Sequence, residues 1–214
     1  MSVKVIIFDF DGTLADTLEL LIKIINRLAG EFGYKPATKA DIERLQNLTS
    51  REIIRQSGIA IFKIPSLLRR VKIELNKEIH SVLPIKGIEK VLKELKQKGY
   101  RLGILTSNSP ENVKIFLENN KLTDLFDYIY SGSTIFGKSK LMKWLLKQEN
   151  LTPQEVIYVG DEVRDIEAAK KSRIGMIAVS WGFHSKQLLA AQQPDCAIDE
   201  PSQLIEALAR LQKL

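Results

Sequence analysis

Two pairs of aspartates follow apolar runs of the sequence and could act together. Asp9 and Asp11 come directly after the first apolar run, and their alternate spacing would place both carboxylates on one face of an extended strand. Asp161 and Asp165 follow a later apolar run with the spacing Gly-Asp-x-x-x-Asp. Four carboxylates that share a site would repel one another unless a cation lay among them. The pattern therefore predicts an all-oxygen site that suits Mg²⁺, a cation often bound together with a substrate phosphate.

Hydroxyl, amide and amine side chains lie at the ends of other predicted strands. Thr106, Ser107 and Asn108 follow one apolar run, and Lys138 lies just beyond another strand and its turn. The lysine and the threonine hydroxyl would supply positive charge and hydrogen bonds to an anion. Taken singly, such residues are commonly turn residues, helix caps or solvated side chains. Their joint placement favours one shared site, because ligands of open α/β sheets bind beyond the carboxyl ends of the strands.

The elements that would position these residues are strands that alternate with amphipathic helices. The apolar runs are short and β-branched, which is typical of strands buried on both faces of a parallel sheet. Strands are expected near 3–8, 101–106, 127–130, 156–159, 175–180 and 195–198. This alternation predicts an α/β fold with a Rossmann-like, doubly wound, mostly parallel sheet.

The segment between the first two strands has helical spacing alone. Helices are expected near 16–33, 38–47, 50–57 and 65–80, the first of them capped by Asp16 with Glu19. We therefore predict two domains. The α/β core comprises residues 1–14 and 85–214, and an inserted α-helical cap comprises residues 15–84. The cap is expected to open and close about its two crossings, near 14–16 and 81–87.

The composition excludes several other classes of protein. The net charge is +6, from 32 Lys and Arg against 26 Asp and Glu, but the basic residues are dispersed, so no nucleic-acid partner is expected. Cys196 is the single cysteine, so an internal disulfide is impossible, and with His80 and His184 it does not make a zinc motif. No apolar run is long enough to span a membrane, and the start of the chain does not resemble a signal peptide. A cytoplasmic protein is expected.

The order and spacing of these residues resemble the four motifs of the haloacid dehalogenase-like hydrolase superfamily. The motifs are the strand that ends in Asp9-Phe-Asp11-Gly-Thr, the strand that ends in Thr106, then Lys138, and finally Gly-Asp161-x-x-x-Asp. The resemblance covers residues 3–181, and the helical insertion is similar to the cap of phosphoglycolate phosphatase-like and β-phosphoglucomutase-like members. Haloacid dehalogenases themselves lack the second aspartate of the first motif, so Asp11 argues for phosphoryl transfer.

The resemblance implies a Mg²⁺-dependent phosphatase that hydrolyses a small phosphate monoester, with a phosphomutase of the β-phosphoglucomutase type as the alternative. Asp9 would be the nucleophile that forms an aspartyl phosphate, Asp11 the acid and base, and Lys138 the cation that offsets their charge. Mg²⁺ would be held by Asp9, Asp161, Asp165 and the backbone carbonyl of Asp11. The transferring phosphoryl group would be bound by Gly12, Thr13, Thr106, Ser107, Asn108 and Lys138.

Some alternatives stay open at the level of sequence. Lys140 could replace Lys138, because the expected proline after the motif lysine is absent. Residues 132–139 match the Walker A spelling, G-x-x-x-x-G-K-[ST], between a strand and a helix, which would indicate a P-loop NTPase. That interpretation leaves Asp9 and Asp11 unexplained, and too little chain follows for a nucleotide-binding sheet. A phosphorelay receiver is typically half this length, and a non-catalytic binding protein on the same fold would not need every motif.

Overall fold

The computed structural model describes residues 3–131 and 137–212. Its centre is a six-stranded sheet with the order β3-β2-β1-β4-β5-β6, in which every pairing is parallel. The strands are β1 (Val5–Phe8), β2 (Arg101–Thr106), β3 (Tyr128–Ser131), β4 (Val156–Gly160), β5 (Gly175–Val179) and β6 (Cys196–Ile198). The predicted α/β fold with a doubly wound parallel sheet is confirmed.

The first strand lies at the middle of the sheet and is buried on both faces. Its residues alternate between two apolar cores: Ile6 and Phe8 pack on one side, Val5 and Ile7 on the other. The helices of the described residues are α1 (Leu18–Phe32), α2 (Lys39–Leu45), α3 (Ser50–Gln56), α4 (Ile64–Glu78), α5 (Ile88–Gln97), α6 (Pro110–Asn119), α7 (Lys138–Gln148), α8 (Val163–Ser172), α9 (Lys186–Ala191) and α10 (Leu204–Leu211). The burial of β1 on both faces explains why its sequence is continuously apolar.

The strand order reverses direction at β1. The chain moves from β1 outward to β2 and β3, then returns to the other side of β1 with β4 and continues to β5 and β6. Ligands of open α/β sheets bind at such a switch point, beyond the carboxyl ends of the strands. The residues that follow β1, β2 and β4 therefore meet at one crevice.

Helices α1 to α4 form the helical insertion, residues 15–84, between β1 and α5. Its second and third helices begin with capping boxes on Thr38 and Thr49. In each box the threonine hydroxyl accepts the N–H of the third helical residue, whose carboxylate accepts the N–H of the threonine. The expected cap on the first helix is wrong: Thr17 holds the N-cap position and makes no capping bond with its side chain. Asp16 is held away from the helix start because its backbone N–H donates to the Leu83 carbonyl at 3.0 Å.

The two crossings between the insertion and the rest of the chain lie side by side. Ala15 forms an antiparallel bridge with Pro84, and the Ile85 N–H donates to the Leu14 carbonyl at 2.9 Å. Entry and exit are thus hydrogen-bonded to each other at one place. Movement about this place stays a prediction.

Other differences from the expected elements are small. The terminal helix begins as a 3₁₀ turn, Pro201–Gln203, before α10, and β3 is displaced by one residue. Most of the Walker A spelling falls on residues 132–136, which lie outside the described residues. Within residues 3–131 and 137–212, no helix has the length and apolar character needed to cross a membrane.

Candidate active site

Asp9 extends the central strand by one residue and lies beneath the surface of the crevice. Its N–H donates to the Val159 carbonyl at 2.8 Å, which continues the pairing of β1 with β4. The residue is 3% exposed. One carboxylate oxygen, Oδ1, accepts the Phe10 N–H at 2.8 Å, and the other, Oδ2, accepts Lys138 Nζ at 2.6 Å. The strand fixes the backbone of Asp9, and two donors fix the orientation of its carboxylate.

Three buried carboxylates converge at this place. Asp9, Asp161 and Asp165 each offer an oxygen, and these oxygens lie within 4.8 Å of one another. Asp161 immediately follows β4, and Asp165 is the third residue of α8, where its Oδ2 accepts the Glu162 N–H at 3.0 Å. Lys138 Nζ contacts Asp9 and Asp165. Lys138 thus pairs with two of the three carboxylates, and the Arg164 guanidinium is a second cation near Asp9 and Asp165.

Burial and the excess of negative charge shift the pKa values of this group. Burial raises the pKa of Asp161 well above its ordinary value, and the charges of Glu162 and Asp9 raise it further. Burial raises the pKa of Asp165 to about 7, although Lys138 opposes the shift. Burial alone would lower the pKa of Lys138, but Asp165 and Asp9 outweigh it and raise that pKa. The site is therefore short of positive charge.

A divalent cation fits this donor set. Carboxylate oxygens are ligands that Mg²⁺ prefers, and a second positive charge would offset the repulsion among Asp9, Asp161 and Asp165. Glycines make room for the carboxylates: a Cβ on Gly160 would lie 2.5 Å from Asp165 Oδ2, and a Cβ on Gly182 would collide with Asp161. The backbone is thus closely fitted around the acidic cluster.

The side chain of Asp11 points to a different partner. Asn108 Nδ2 donates to its two oxygens at 3.1 and 2.9 Å, and the carboxylate is not among the three that converge. Burial raises the pKa of Asp11 to about 6, and the negative charge of Asp9 contributes. A carboxyl group with such a pKa can both give and take a proton near neutrality.

The end of β2 and the residues after it form a hydrogen-bonded turn. Thr106 is fully buried, and its hydroxyl oxygen accepts the Asn108 N–H at 2.9 Å. Ser131, at the end of β3, donates its hydroxyl to the Asn108 carbonyl. Ser107 is partly exposed between them. The turn thus brings Thr106, Ser107 and Asn108 to the crevice beside Asp11, where their binding of phosphate stays a prediction.

Gly12 and Thr13 lie against Asp161. Thr13 donates its hydroxyl to Asp161 Oδ1 at 2.7 Å. Gly12 has φ +75°, and a Cβ there would lie 2.6 Å from the Phe183 ring, so both the backbone and the space demand glycine. Thr13 therefore orients Asp161 in this structure, whereas the sequence suggested contact with a phosphoryl group.

The segment after β5 was missed by the sequence reasoning. The Phe183 N–H donates to Asp161 Oδ2 at 2.7 Å, and Trp181 Nε1 donates to the Thr13 carbonyl at 3.2 Å. His184 accepts the Val163 N–H on Nδ1 at 2.9 Å. A signal was available, since these residues follow a predicted strand whose carboxyl end belongs to the same edge.

The helical insertion contacts the core beside the acidic cluster. Ser50 donates its hydroxyl to Glu162 Oε2 at 3.1 Å, while the other oxygen of Glu162 accepts the Arg164 guanidinium. Ser185 donates its N–H to the Gln46 carbonyl at 2.9 Å and its hydroxyl to Asn47 at 2.6 Å. The insertion therefore rests on the residues that border Asp161 and Asp165.

Comparison with known proteins agrees with this geometry. The family described as haloacid dehalogenase-like hydrolase matches residues 6–179, which is most of the chain. The chain belongs to the haloacid dehalogenase-like hydrolase family. Similar proteins include the phosphoglycolate phosphatase of Synechococcus elongatus, which is 37% identical over 98% of this chain and 99% of its own length. The chain is thus a phosphatase-type hydrolase of this family.

Other relatives of this hydrolase extend the comparison. The protein named Pyrophosphatase PpaX of Bacillus mycoides is 26% identical and aligns over 99% of both chains. The fold is similar to that of a predicted phosphatase from Clostridium acetobutylicum, with a TM-score of 0.83, 21% identity and complete coverage of both chains. The names of both relatives state a phosphate compound as the substrate of those proteins.

Proposed function

We propose that this hydrolase is a Mg²⁺-dependent phosphatase that hydrolyses a small phosphate monoester through an aspartyl phosphate on Asp9. The observation that carries the proposal is the buried contact of Asp9 with Lys138 beside two further carboxylates. The 37% identity to a phosphoglycolate phosphatase supports a small, acidic phosphate ester as the substrate.

In the first step, a carboxylate oxygen of Asp9 attacks phosphorus, and the bond from phosphorus to the ester oxygen breaks. Asp11 gives its proton to the departing oxygen, so that the leaving group departs as an alcohol while the phosphoryl group stays on Asp9. In the second step, Asp11 takes a proton from water, which attacks the phosphorus of the aspartyl phosphate and releases phosphate. The elevated pKa of Asp11 supports both roles because the carboxyl group can hold the proton between the steps.

The other residues stabilise charge and position the phosphoryl group. Mg²⁺, held by Asp9, Asp161, Asp165 and the Asp11 carbonyl, would supply positive charge at the phosphoryl oxygens. Lys138 offsets the charge of Asp9, which it contacts at 2.6 Å. The phosphoryl group is proposed to lie against Gly12, Thr13, Thr106, Ser107 and Asn108, where the hydroxyls of Thr106 and Ser107 can donate to it.

The helical insertion, residues 15–84, is proposed to be a cap domain over a core of residues 1–14 and 85–214. Contacts of Ser50 with Glu162 and of Ser185 with Asn47 support a closed arrangement in which water is kept from the acidic cluster. Opening about the paired crossings would admit the substrate.

A panel of phosphate compounds tests the proposed activity. We expect Mg²⁺-dependent release of phosphate, with the highest kcat/KM for 2-phosphoglycolate among 2-phosphoglycolate, pyrophosphate, β-glucose 1-phosphate and 4-nitrophenyl phosphate. Conversion of β-glucose 1-phosphate into glucose 6-phosphate would instead identify a mutase. Absence of turnover with every compound in the presence of Mg²⁺ would contradict the proposal.

Two lysines provide a matched pair of variants. Lys138 is buried between carboxylates, whereas Lys140, two residues later, is exposed. Because electrostatic groups of this kind typically contribute about 10²–10³-fold to rate, Lys138→Met is expected to lower kcat by that order. Lys140→Met should retain the wild-type kcat within about twofold, since solvent screens an exposed charge. Steady-state kinetics on both variants checks this, and equal losses in the two would show that the lysine is wrongly assigned.

A further inference from the structure

A continuous chain of amide hydrogen bonds joins the helical insertion to Asp11. Asn76, in α4, donates Nδ2 to Asn112 Oδ1 at 2.6 Å. Asn112, in α6, donates Nδ2 to Asn108 Oδ1 at 2.8 Å. Asn108 in turn donates Nδ2 to both oxygens of Asp11. We call Asn76, Asn112 and Asn108 the asparagine chain.

One backbone group fixes the direction of the whole asparagine chain. The backbone nitrogen of Ser109 lies 2.8 Å from the side-chain atom assigned as Asn108 Oδ1. Because a backbone N–H can only donate, this atom of Asn108 must be the carbonyl oxygen. The amine of Asn108 is then left for Asp11. The same carbonyl oxygen must accept from the amine of Asn112, which leaves the carbonyl of Asn112 for the amine of Asn76. Reversal of any one amide would place two donors or two acceptors in contact.

The middle of the asparagine chain is deeply buried. Asn112 is fully buried and Asn108 is 3% exposed. A buried amide is costly unless its polar atoms are bonded, and an apolar side chain at residue 112 would avoid that cost. The presence of asparagine there is accounted for if its polar ends serve a purpose at Asp11.

We propose that Asn112 and Asn76 are positioning residues, which hold Asp11 through Asn108 in the orientation that delivers a proton to the leaving oxygen. The asparagine chain is complete only while α4 packs against α6, so the orientation of Asp11 depends on the docking of the helical insertion. This inference rests on the proposed function, in which Asp11 is the acid.

A pair of substrates of similar shape separates this role from a merely structural one. Phenyl phosphate and 4-nitrophenyl phosphate differ mainly in the acidity of the leaving phenol, and 4-nitrophenol departs with little need of a proton. The parameter kcat/KM covers steps up to departure of the phenol and omits hydrolysis of the aspartyl phosphate. Damage to the position of Asp11 should therefore lower kcat/KM for phenyl phosphate more than for 4-nitrophenyl phosphate.

Asn112→Leu removes both bonds in a side chain of similar size. Full loss of general acid catalysis is worth about 10²–10⁴-fold, and displacement should forfeit part of it, so we expect about a tenfold loss for phenyl phosphate and less than about threefold for 4-nitrophenyl phosphate. Asn76→Ala, at an exposed position, should shift the ratio in the same direction by about threefold. Because the Asn76 side chain is itself exposed, this second variant is expected to fold, and it keeps the test valid if Asn112→Leu fails to fold.

Asn120→Ala is the matched control. Asn120 caps the same helix and donates to the Val82 carbonyl at 3.2 Å near the second crossing, but it does not belong to the asparagine chain. Its loss should alter thermal stability and affect both substrates equally. In an Asp11→Asn background, Asn112→Leu should cause no further discrimination between the substrates, because the acid that it positions is already absent.

The outcomes separate the two levels of the account. If the wild-type protein hydrolyses both aryl phosphates but folded Asn112→Leu and Asn76→Ala affect them in equal proportion, the positioning role is overturned and the phosphatase stands. If the wild-type protein hydrolyses neither aryl phosphate nor any compound of the panel with Mg²⁺ present, the proposed function fails, and the positioning role fails with it.

Discussion

Asp9→Asn is expected to form no phosphoenzyme and to lose phosphatase activity to the limit of detection, whereas Asp11→Asn should form a phosphoenzyme that persists. An asparagine at residue 9 has no carboxylate to attack phosphorus. The variant at residue 11 keeps the nucleophile but loses proton transfer in both steps, which should lower kcat by about 10²–10⁴-fold.

Rapid-quench mass spectrometry with 4-nitrophenyl phosphate measures this asymmetry. Because the activated leaving group needs little assistance, the first step of Asp11→Asn should be partly spared while the second is slow. The mass of one phosphoryl group should then accumulate on the peptide that contains Asp9. The same mass on Asp9→Asn, or on the peptide that contains Asp161, would show that the nucleophile is wrongly assigned. Thermal unfolding of both variants serves as the control for folding.

Asp161→Asn is expected to stabilise the metal-free protein and to abolish its response to Mg²⁺. Burial and the charges of Glu162 and Asp9 disfavour an ionised Asp161, so a neutral amide removes that cost. The amide can still accept from the Phe183 N–H, and its amine can donate to Thr13 Oγ1 once that hydroxyl rotates. The variant therefore gains stability and loses the response to Mg²⁺, a trade-off that is common at active sites.

Thermal unfolding with and without Mg²⁺ tests this prediction. Binding at a free concentration of 100 times Kd would stabilise the wild-type protein by about 2.7 kcal/mol, which corresponds to a rise in Tm of about 5–10 °C for a chain of this length. Asp161→Asn should begin at a higher Tm in EDTA and should not respond to Mg²⁺. A wild-type Tm that is the same in EDTA and in Mg²⁺ would contradict the metal assignment.

The sign of the pH dependence provides a further check on the same variant. The raised pKa of Asp161 means that the folded protein holds the proton more tightly than the unfolded chain. The cost at this residue therefore grows as the pH rises above the unfolded value of about 3.9. The difference in Tm between Asp161→Asn and the metal-free wild-type protein should accordingly shrink as the pH is lowered toward that value.

The fold was predictable because strands buried on both faces carry a distinctive pattern. Val5–Phe8 and Val156–Val159 are nearly continuous apolar runs, and the helices between strands show the spacing of an amphipathic face. The chain order of strands and helices then leaves few topologies. The local start of α1 was not predictable, because the position of Asp16 depends on a hydrogen bond to Leu83, 67 residues away in the sequence.

The site was predictable as far as the strand-end rule was applied. That rule brought together Asp9, Asp161 and Asp165 with Lys138, and the structure places them in contact or close to one another. The same rule applies to residues 180–184 after β5, but it was not extended to that strand. The strand-end rule does not predict the direction in which a side chain points. Both Thr13 and Asn108 donate to a carboxylate in this structure, and contacts between residues far apart in the sequence determine these orientations.

Reduction of the wild-type protein with borohydride during turnover tests the central claim most directly. An aspartyl phosphate is an acyl phosphate, which borohydride reduces to the alcohol, so the residue that carried the phosphoryl group becomes homoserine. With Mg²⁺ and 2-phosphoglycolate present, peptide mass spectrometry should find homoserine at residue 9, and samples without substrate should retain Asp9. Homoserine at residue 161 or 165, or an unmodified Asp9 during measured turnover, would contradict Asp9 as the nucleophile.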